Sequence, residues 1–223
     1  MRLLFIILSI IIWSLQVNGQ NLHETDMLKK FQDETIRNPK TPSIAQHFES
    51  VYLDKHFTLG TVLKNDGTVI EEVPLRYDIS RHTMQFIREG IILDIIAPVT
   101  IKQITFGDKI FIYAPYNAGK KIRRSYFQVM NEGKFQLLKM YNVAFKESEI
   151  KAENVDYYSP NLSSYYLRYD DNIANLFNSK KKLIRLLQPI PTKIIEYIEK
   201  NLTSINNEKE LIDLLTYTNK IMN

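Results

Sequence analysis

The stretch FTLGTVLKNDGTVIEEV, residues 57–73, decides the fold class. Two runs of apolar and β-branched residues flank Asn65-Asp66-Gly67, and an Asp-Gly pair tolerates the positive φ of a tight hairpin turn. The same layout recurs along the chain around the turn sequences Glu89-Gly90, Gly107-Asp108 and Asn131-Glu132-Gly133. This repetition predicts a series of antiparallel hairpins.

The strands are expected where alternating or continuous apolar runs lie between turn residues. They are predicted over residues 57–64, 68–73, 75–79, 83–88, 91–96, 101–106, 109–113, 125–130, 134–145, 164–169 and 173–177. Residues 115–124 are predicted as a charged loop, and residues 146–159 as a crossover loop.

The strands differ in how many of their faces are apolar. The first hairpin alternates, which is typical of a sheet with one face in water, whereas residues 109–113 and 134–145 are apolar on both faces. The middle of the sheet therefore needs cover on both sides. The predicted fold is mainly β (α+β): an antiparallel meander, curled into a barrel-like or sandwich sheet, with a C-terminal group of three short helices.

The C-terminal segment changes from a period of two to a period near 3.6, which indicates helices. They are predicted over residues 180–188, 192–201 and 208–220, separated by Pro189 and Pro191 and by a cap at Asn207. The predicted organisation is a signal peptide (1–19), a polar leader (20–42), an antiparallel β domain (43–177) and a helical segment packed on the sheet (178–223).

The N-terminus has the pattern of a secretory signal peptide. Arg2 precedes an apolar run over residues 3–15, and cleavage is expected near Gly19-Gln20. The alternative, a membrane anchor, needs about 20 apolar residues. We therefore expect export to the periplasm or the cell exterior, with no transmembrane span in the mature chain.

Composition excludes several classes of chemistry. The chain has no cysteine, so disulfides, thiolate catalysis and zinc–cysteine sites are ruled out. Apolar residues make up 44% of the 223 residues, enough for a core, and the net charge of +4 is mild. Export and interleaved charges argue against a nucleic acid partner.

No recognised catalytic or phosphate-binding motif is present, and no cofactor is predicted. The four histidines, His23, His47, His56 and His82, have no metal-ligand spacing. Adjacent acids at 71–72 point to opposite faces of a strand, and those at 170–171 lie in a turn, so neither pair favours acid–base work.

Two polar features remain as candidate binding elements. Arg76 and Asp78 share a strand face and form a candidate polar clamp, or a structural ion pair. Two basic clusters are candidate contacts for an anionic surface if they converge: Lys120, Lys121, Arg123 and Arg124, and Lys180, Lys181, Lys182 and Arg185. If they do not converge, they are solvated charges.

Several segments carry a resemblance to a known group of proteins. They are the run from Leu59-Gly60 through Asn65-Asp66-Gly67 to Val73-Pro74-Leu75-Arg76-Tyr77-Asp78, then Met84-Gln85-Phe86, residues 107–113, residues 126–138 and the Lys-, Ile- and Leu-rich helices. In these the chain resembles a broad group of exported β-rich proteins of Bacteroidota-type bacteria. The resemblance implies export and a β-rich fold; no activity is known for the group.

The function expected from these observations is non-enzymatic. We expect a cell-envelope protein that binds a ligand or partner through its curved sheet, with an amphipathic ligand, an anionic envelope component or an envelope protein as its partner. One alternative is an assembly or protein-interaction module. Another is a hydrolase with a dispersed Asp, Glu and His site.

Overall fold

A computed structural model of the chain describes residues 52–143 and 162–222. The predicted signal peptide, leader and crossover loop lie outside these ranges, as do His23 and His47. Among the described residues, no helix is long and apolar enough to cross a membrane.

The described strands form one antiparallel sheet with the order β10-β9-β8-β7-β6-β5-β1-β2-β3-β4. The strands are β1 (Thr58–Lys64), β2 (Val69–Asp78), β3 (Thr83–Arg88), β4 (Ile91–Asp94), β5 (Ile101–Phe106), β6 (Lys109–Ala118), β7 (Lys121–Val129), β8 (Phe135–Met140), β9 (Ser164–Tyr169) and β10 (Asn175–Leu176). The predicted mainly β meander is confirmed.

The sheet curls into a half-barrel, and its β10 end returns toward β6. The backbone N–H of Asn117 donates to Ala174 O at 3.0 Å, and the N–H of Ala174 donates to Pro115 O at 2.9 Å. These bonds form a parallel bridge between Tyr116 and Ala174. The β10 end of the sheet thus covers part of the face of the sheet beside β6.

The two-faced apolar strands in the centre lie between cores. Phe111 and Tyr126 pack into a core built by β1 to β7, whereas Ala114 and Phe127, on the other face of β6 and β7, pack with β8 and β9. A third core joins the outer faces of β8 and β9 to the helices. The expected second layer is therefore supplied by both the helices and the sheet's own closure.

Three helices follow the sheet: α1 (Lys180–Leu187), α2 (Thr192–Asn201) and α3 (Glu208–Met222). Ser179 Oγ accepts from Lys182 N at 3.3 Å and caps α1, and Asn207 Oδ1 accepts from Glu210 N at 3.2 Å at the start of α3. All three predicted helices are confirmed, with ends that differ by at most two residues.

Four local predictions are wrong. Residues 115–124 are the paired ends of β6 and β7, joined by a two-residue turn in which Gly119 has a φ of +68°. Pro74 lies inside the continuous strand β2, because a bulge at Glu72 (φ +55°) precedes it and the register with β1 shifts there. The strand predicted over 134–145 ends at Met140, and the one over 173–177 is reduced to β10.

One glycine is required by a close approach between strands. A Cβ on Gly60 would lie 2.3 Å from the carbonyl oxygen of Thr105 on β5. The β1–β5 pairing therefore needs a residue without a side chain at this position.

Candidate functional site

An open cleft of about 530 Å³ lies where β4 faces the β6–β7 hairpin across the curl of the sheet. Its volume falls in the range of small-molecule sites in proteins. The lining residues come from the β2–β3 turn, from β4 and the segment after it, and from β6 and β7: Arg81, His82, Thr83, Asp94, Ile95, Ile96, Pro98, Tyr113, Tyr116, Arg123, Arg124, Ser125 and Tyr126.

Arg81 joins two carboxylates at one wall of the cleft. Its Nε donates to Asp78 at 2.7 Å, and its two terminal nitrogens donate to Asp94 at 2.5 and 2.9 Å. Burial lowers the pKa of Arg81, but the hydrogen bonds to Asp94 and Asp78 outweigh burial and raise it. Arg81 is therefore a fixed cation that ties the β2–β3 turn to β4.

The turn that carries Arg81 is built by Asp78. This fully buried carboxylate accepts from Ser80 Oγ at 2.7 Å and from Arg81 N at 3.1 Å, as Asp does in tight turns. His82 follows with a φ of +50°, and its Nδ1 lies 3.1 Å from the Tyr77 hydroxyl oxygen. Burial lowers the pKa of His82, so its ring is neutral at pH 7.

Arg76 and Asp78, the predicted clamp, lie at the two ends of a single network. Arg76 donates to Gln85 Oε1 at 2.9 Å, and Gln85 Nε2 donates to Asp94 at 3.1 Å. Asp94 in turn accepts from Arg81, which also donates to Asp78. The Arg76 guanidinium also packs over the rings of Tyr52 and Phe57, at 3.7 and 4.3 Å from their centroids. Arg76 does not line the cleft, and its environment is that of a structural residue.

Tyr126 lines the cleft and carries an unusual buried polar atom. Its side chain is 2% exposed, and its hydroxyl is the buried side-chain polar atom without a hydrogen-bond partner among the described residues. Burial raises its pKa well above the usual range, so the hydroxyl keeps its proton. The ring packs edge-on against Tyr113 at 5.0 Å. A buried hydroxyl without a partner costs free energy unless a ligand completes it.

Arg123 and Arg124 bring positive charge to the opposite wall. Both are exposed, and within residues 52–143 and 162–222 neither has an ion-pair or side-chain hydrogen-bond partner. The lining contains three arginines and one carboxylate, and the buried Asp78 offsets only one more of these charges. The cleft therefore carries net positive charge.

The two predicted basic clusters lie in different parts of the fold. Lys120 and Lys121 are exposed at the tip of the β6–β7 hairpin, next to Arg123 and Arg124. The second cluster lies on α1, which packs on β8 and β9, and none of its residues lines the cleft: Lys180, Lys181, Lys182 and Arg185. Only the first cluster contributes side chains to the cleft.

The remaining acidic and histidine candidates do not gather into a site. Glu71 and Glu72 are exposed at the β2 bulge, Asp171 pairs with Arg168 at 3.4 Å, and His56 is exposed before β1. In the described part of the chain, no three histidine or acidic side chains are close enough to hold a metal ion.

The sequence prediction missed Arg81, Asp94, Tyr113 and Tyr126. A usable signal existed for Asp94, which interrupts the apolar run Ile91-Ile-Leu-Asp-Ile-Ile96 and so needs a charged partner if it is buried. No local signal marks the tyrosines, because a core tyrosine and a site tyrosine have the same strand pattern. Comparisons with models of known families, with curated proteins and with solved structures find no match.

Proposed function

We propose that the protein is a non-enzymatic, exported cell-envelope protein that binds an anionic ligand or partner in the cleft between β4 and the β6–β7 hairpin. The observation that carries this proposal is that one cleft is lined by Arg123, Arg124 and Tyr126, whose guanidinium and hydroxyl groups have no hydrogen-bond or ion-pair partner among the described residues.

The chemistry of these groups favours an oxyanion. Arginine presents a planar set of donors that matches a carboxylate or a phosphate, and a protonated tyrosine hydroxyl adds a further donor. Tyr113 and Tyr116 supply aromatic surface beside these donors. An extended ligand with acidic groups and some apolar surface fits this combination.

The rim of the sheet is a better place for a ligand than its interior. Inside the curl of β1 to β7, the rings of Tyr77, Phe106 and Tyr141 each pack on Phe111, with ring centroids 5.2 to 6.4 Å apart. This aromatic core fills the inside of the curled sheet. The cleft at the rim carries the polar groups.

Binding is tested by calorimetric titration of the mature protein with an oligogalacturonate, an acidic peptide and neutral counterparts of each. We expect at least one acidic probe to bind and its neutral counterpart not to bind. The double variant Arg123→Gln/Arg124→Gln should weaken binding at least tenfold. The matched control, Lys181→Gln/Lys182→Gln on α1, removes the same charge and should leave affinity unchanged. Equal losses in the two variants would contradict the assignment of the site.

Export rests on the signal-peptide pattern and on the resemblance to exported proteins. N-terminal mass spectrometry of the protein from its own host, after fractionation of the cells, tests it. We expect a mature chain that begins at Gln20 in the envelope or external fraction. An intact N-terminus in the cytoplasmic fraction would contradict export.

A hydrolase is the second candidate, because His82 and Asp94 line the same cleft. Both side chains are already engaged: Asp94 accepts from Arg81 and Gln85, and His82 lies at hydrogen-bonding distance from Tyr77. A general base needs a free lone pair that faces the substrate, so binding ranks first. Turnover of an acidic glycan or peptide that is lost in His82→Asn would reverse this order.

A further inference from the structure

Two strand edges border the cleft without a neighbour on their outer side among the described residues. β4 is the last strand of the sheet and pairs only with β3. β7 pairs with β6 along its whole length, whereas its strand pairing with β8 is confined to Gln128 and Val129. Within residues 52–143 and 162–222, no strand pairs with the outer edge of β7 from Lys121 to Phe127.

The register shows which backbone groups this edge offers. Ala118 and Lys121 close a two-residue hairpin, so they form a hydrogen-bonded pair and the alternation of an antiparallel ladder continues from there. Tyr116 with Arg123, and Ala114 with Ser125, are hydrogen-bonded in the same way. The N–H and C=O groups of Ile122, Arg124 and Tyr126 consequently point away from β6.

The same reasoning applies to β4 across the cleft. Ile95 N donates to Met84 O at 2.9 Å, and Arg88 and Ile91 close the β3–β4 hairpin. The backbone groups of the intervening residues Ile92 and Asp94 therefore face outward. None of these outward groups on β4 or β7 has a recorded hydrogen-bond partner in the described residues.

We propose that the cleft takes an extended acidic peptide segment, which adds a strand to the outer edge of β7 opposite β4. This proposal rests on the anionic-ligand function and specifies its partner. Strand addition supplies affinity through the main chain, while side-chain pockets provide selectivity. Ile122, 61% exposed beside the arginines, gives the added strand an apolar contact.

Charge decides between a peptide of another protein and a second copy of this chain. Lys120, Lys121, Arg123 and Arg124 are exposed along this hairpin. Pairing β7 with itself would set these cations against their own copies, and like charges across a strand pair destabilise it. An acidic strand instead neutralises them.

The test uses the mature protein and a short acetylated peptide that alternates glutamate with valine. Its comparison peptide has the same sequence with every peptide nitrogen methylated, which keeps the charge and removes the backbone donors. We expect the unmodified peptide to bind at least tenfold more tightly. Hydrogen exchange at Ile122, Arg124 and Tyr126 should slow when it is bound. Because Ile122 does not bond β6 through its N–H, Ile122→Pro should weaken the unmodified peptide selectively.

The other outcomes separate this proposal from the function on which it rests. Equal affinity for the two peptides, lost in Arg123→Gln/Arg124→Gln, would overturn strand addition and leave anion binding intact. If oligogalacturonate binds and neither peptide does, strand addition would be overturned, anion binding would stay intact, and the ligand would be an acidic glycan. Failure of every acidic probe would overturn the proposed function itself. A dimer that excludes the peptide and dissociates in Ile92→Lys would overturn the peptide as occupant and show that the β4 edge pairs with a second copy of the chain.

Discussion

Arg81 in the β2–β3 turn and Asp94 on the edge strand β4 are joined by two hydrogen bonds, of 2.5 and 2.9 Å. Because β4 has only one strand neighbour among the described residues, this pair is its main polar tie to the rest of the sheet outside the ladder. The pair also fixes one wall of the cleft, and Arg81 is held in place by a further hydrogen bond to Asp78.

Removing the charge of Asp78 should destabilise the protein. Asp78→Asn leaves Arg81 with one carboxylate partner and weakens the turn, and we expect a loss of about 2–4 kcal/mol in the free energy of unfolding. Urea denaturation measures it. Asp108→Asn, in an exposed turn where the side chain is 86% accessible, is the control and should not move the midpoint. Equal stability of the two variants would contradict the role of the network.

Tyr126→Phe should separate stability from binding. Its hydroxyl has no hydrogen-bond partner in the part of the chain that the structure describes, so its removal should leave stability unchanged or raise it by up to about 1 kcal/mol. Tyr165→Phe is the matched control, because the Tyr165 hydroxyl donates to Glu208 at 3.0 Å and its loss should cost about 1–2 kcal/mol. Affinity for the acidic probe should fall in Tyr126→Phe alone. A marked destabilisation by Tyr126→Phe would mean that the hydroxyl already has a partner.

His82 should make stability depend on pH. Burial lowers its pKa in the folded protein, so the unfolded chain, with a pKa near 6.5, takes up the proton first as pH falls. The contribution to stability is complete above about pH 6.5 and is lost as pH falls toward the native pKa. His82→Asn, which tolerates the positive φ, should flatten the change in unfolding free energy between about pH 7 and pH 5. His56→Asn, at an exposed position, should not.

Asn219 should anchor α3 to the start of β8. Its Oδ1 accepts from Phe135 N at 2.8 Å, and its Nδ2 donates to Phe135 O at 2.9 Å and Glu132 O at 3.0 Å. Asn219→Ala leaves buried backbone groups unpaired, with an expected loss of about 2–3 kcal/mol in thermal or urea unfolding. Asn206→Ala, at an exposed position, should stay within about 0.5 kcal/mol of the parent.

The sequence predicts the sheet well because its turns are local. Asn65-Asp66-Gly67 and Glu89-Gly90 form hairpins as expected, and the period change after Phe177 marks the helices. The length of β6 and β7 was not predictable from the charges at residues 115–124, because an exposed hairpin needs no apolar alternation. Pro74 predicts a break between two strands, but the strand continues through it. The bulge at Glu72 shifts the register with β1 just before Pro74, so that the proline fits inside β2.

The cleft was less accessible to sequence reasoning. It joins Arg81 and Asp94 to Arg123 and Tyr126, which lie far apart in the chain and meet only because the sheet curls. The sequence shows that Arg123 and Arg124 are basic, but their position across the cleft from Arg81 and Asp94 depends on the curvature. Curvature arises from bulges, closures and packing that no single segment encodes.

The most direct measurement of the central claim is a backbone NMR titration of the protein with the acidic peptide. We expect amide shifts to concentrate at the cleft, in residues 81–83, 94–98, 113–116 and 122–126, and to disappear in Arg123→Gln/Arg124→Gln. Shifts confined to α1, or shifts that persist unchanged in the double variant, would contradict the assignment of this cleft as the binding site.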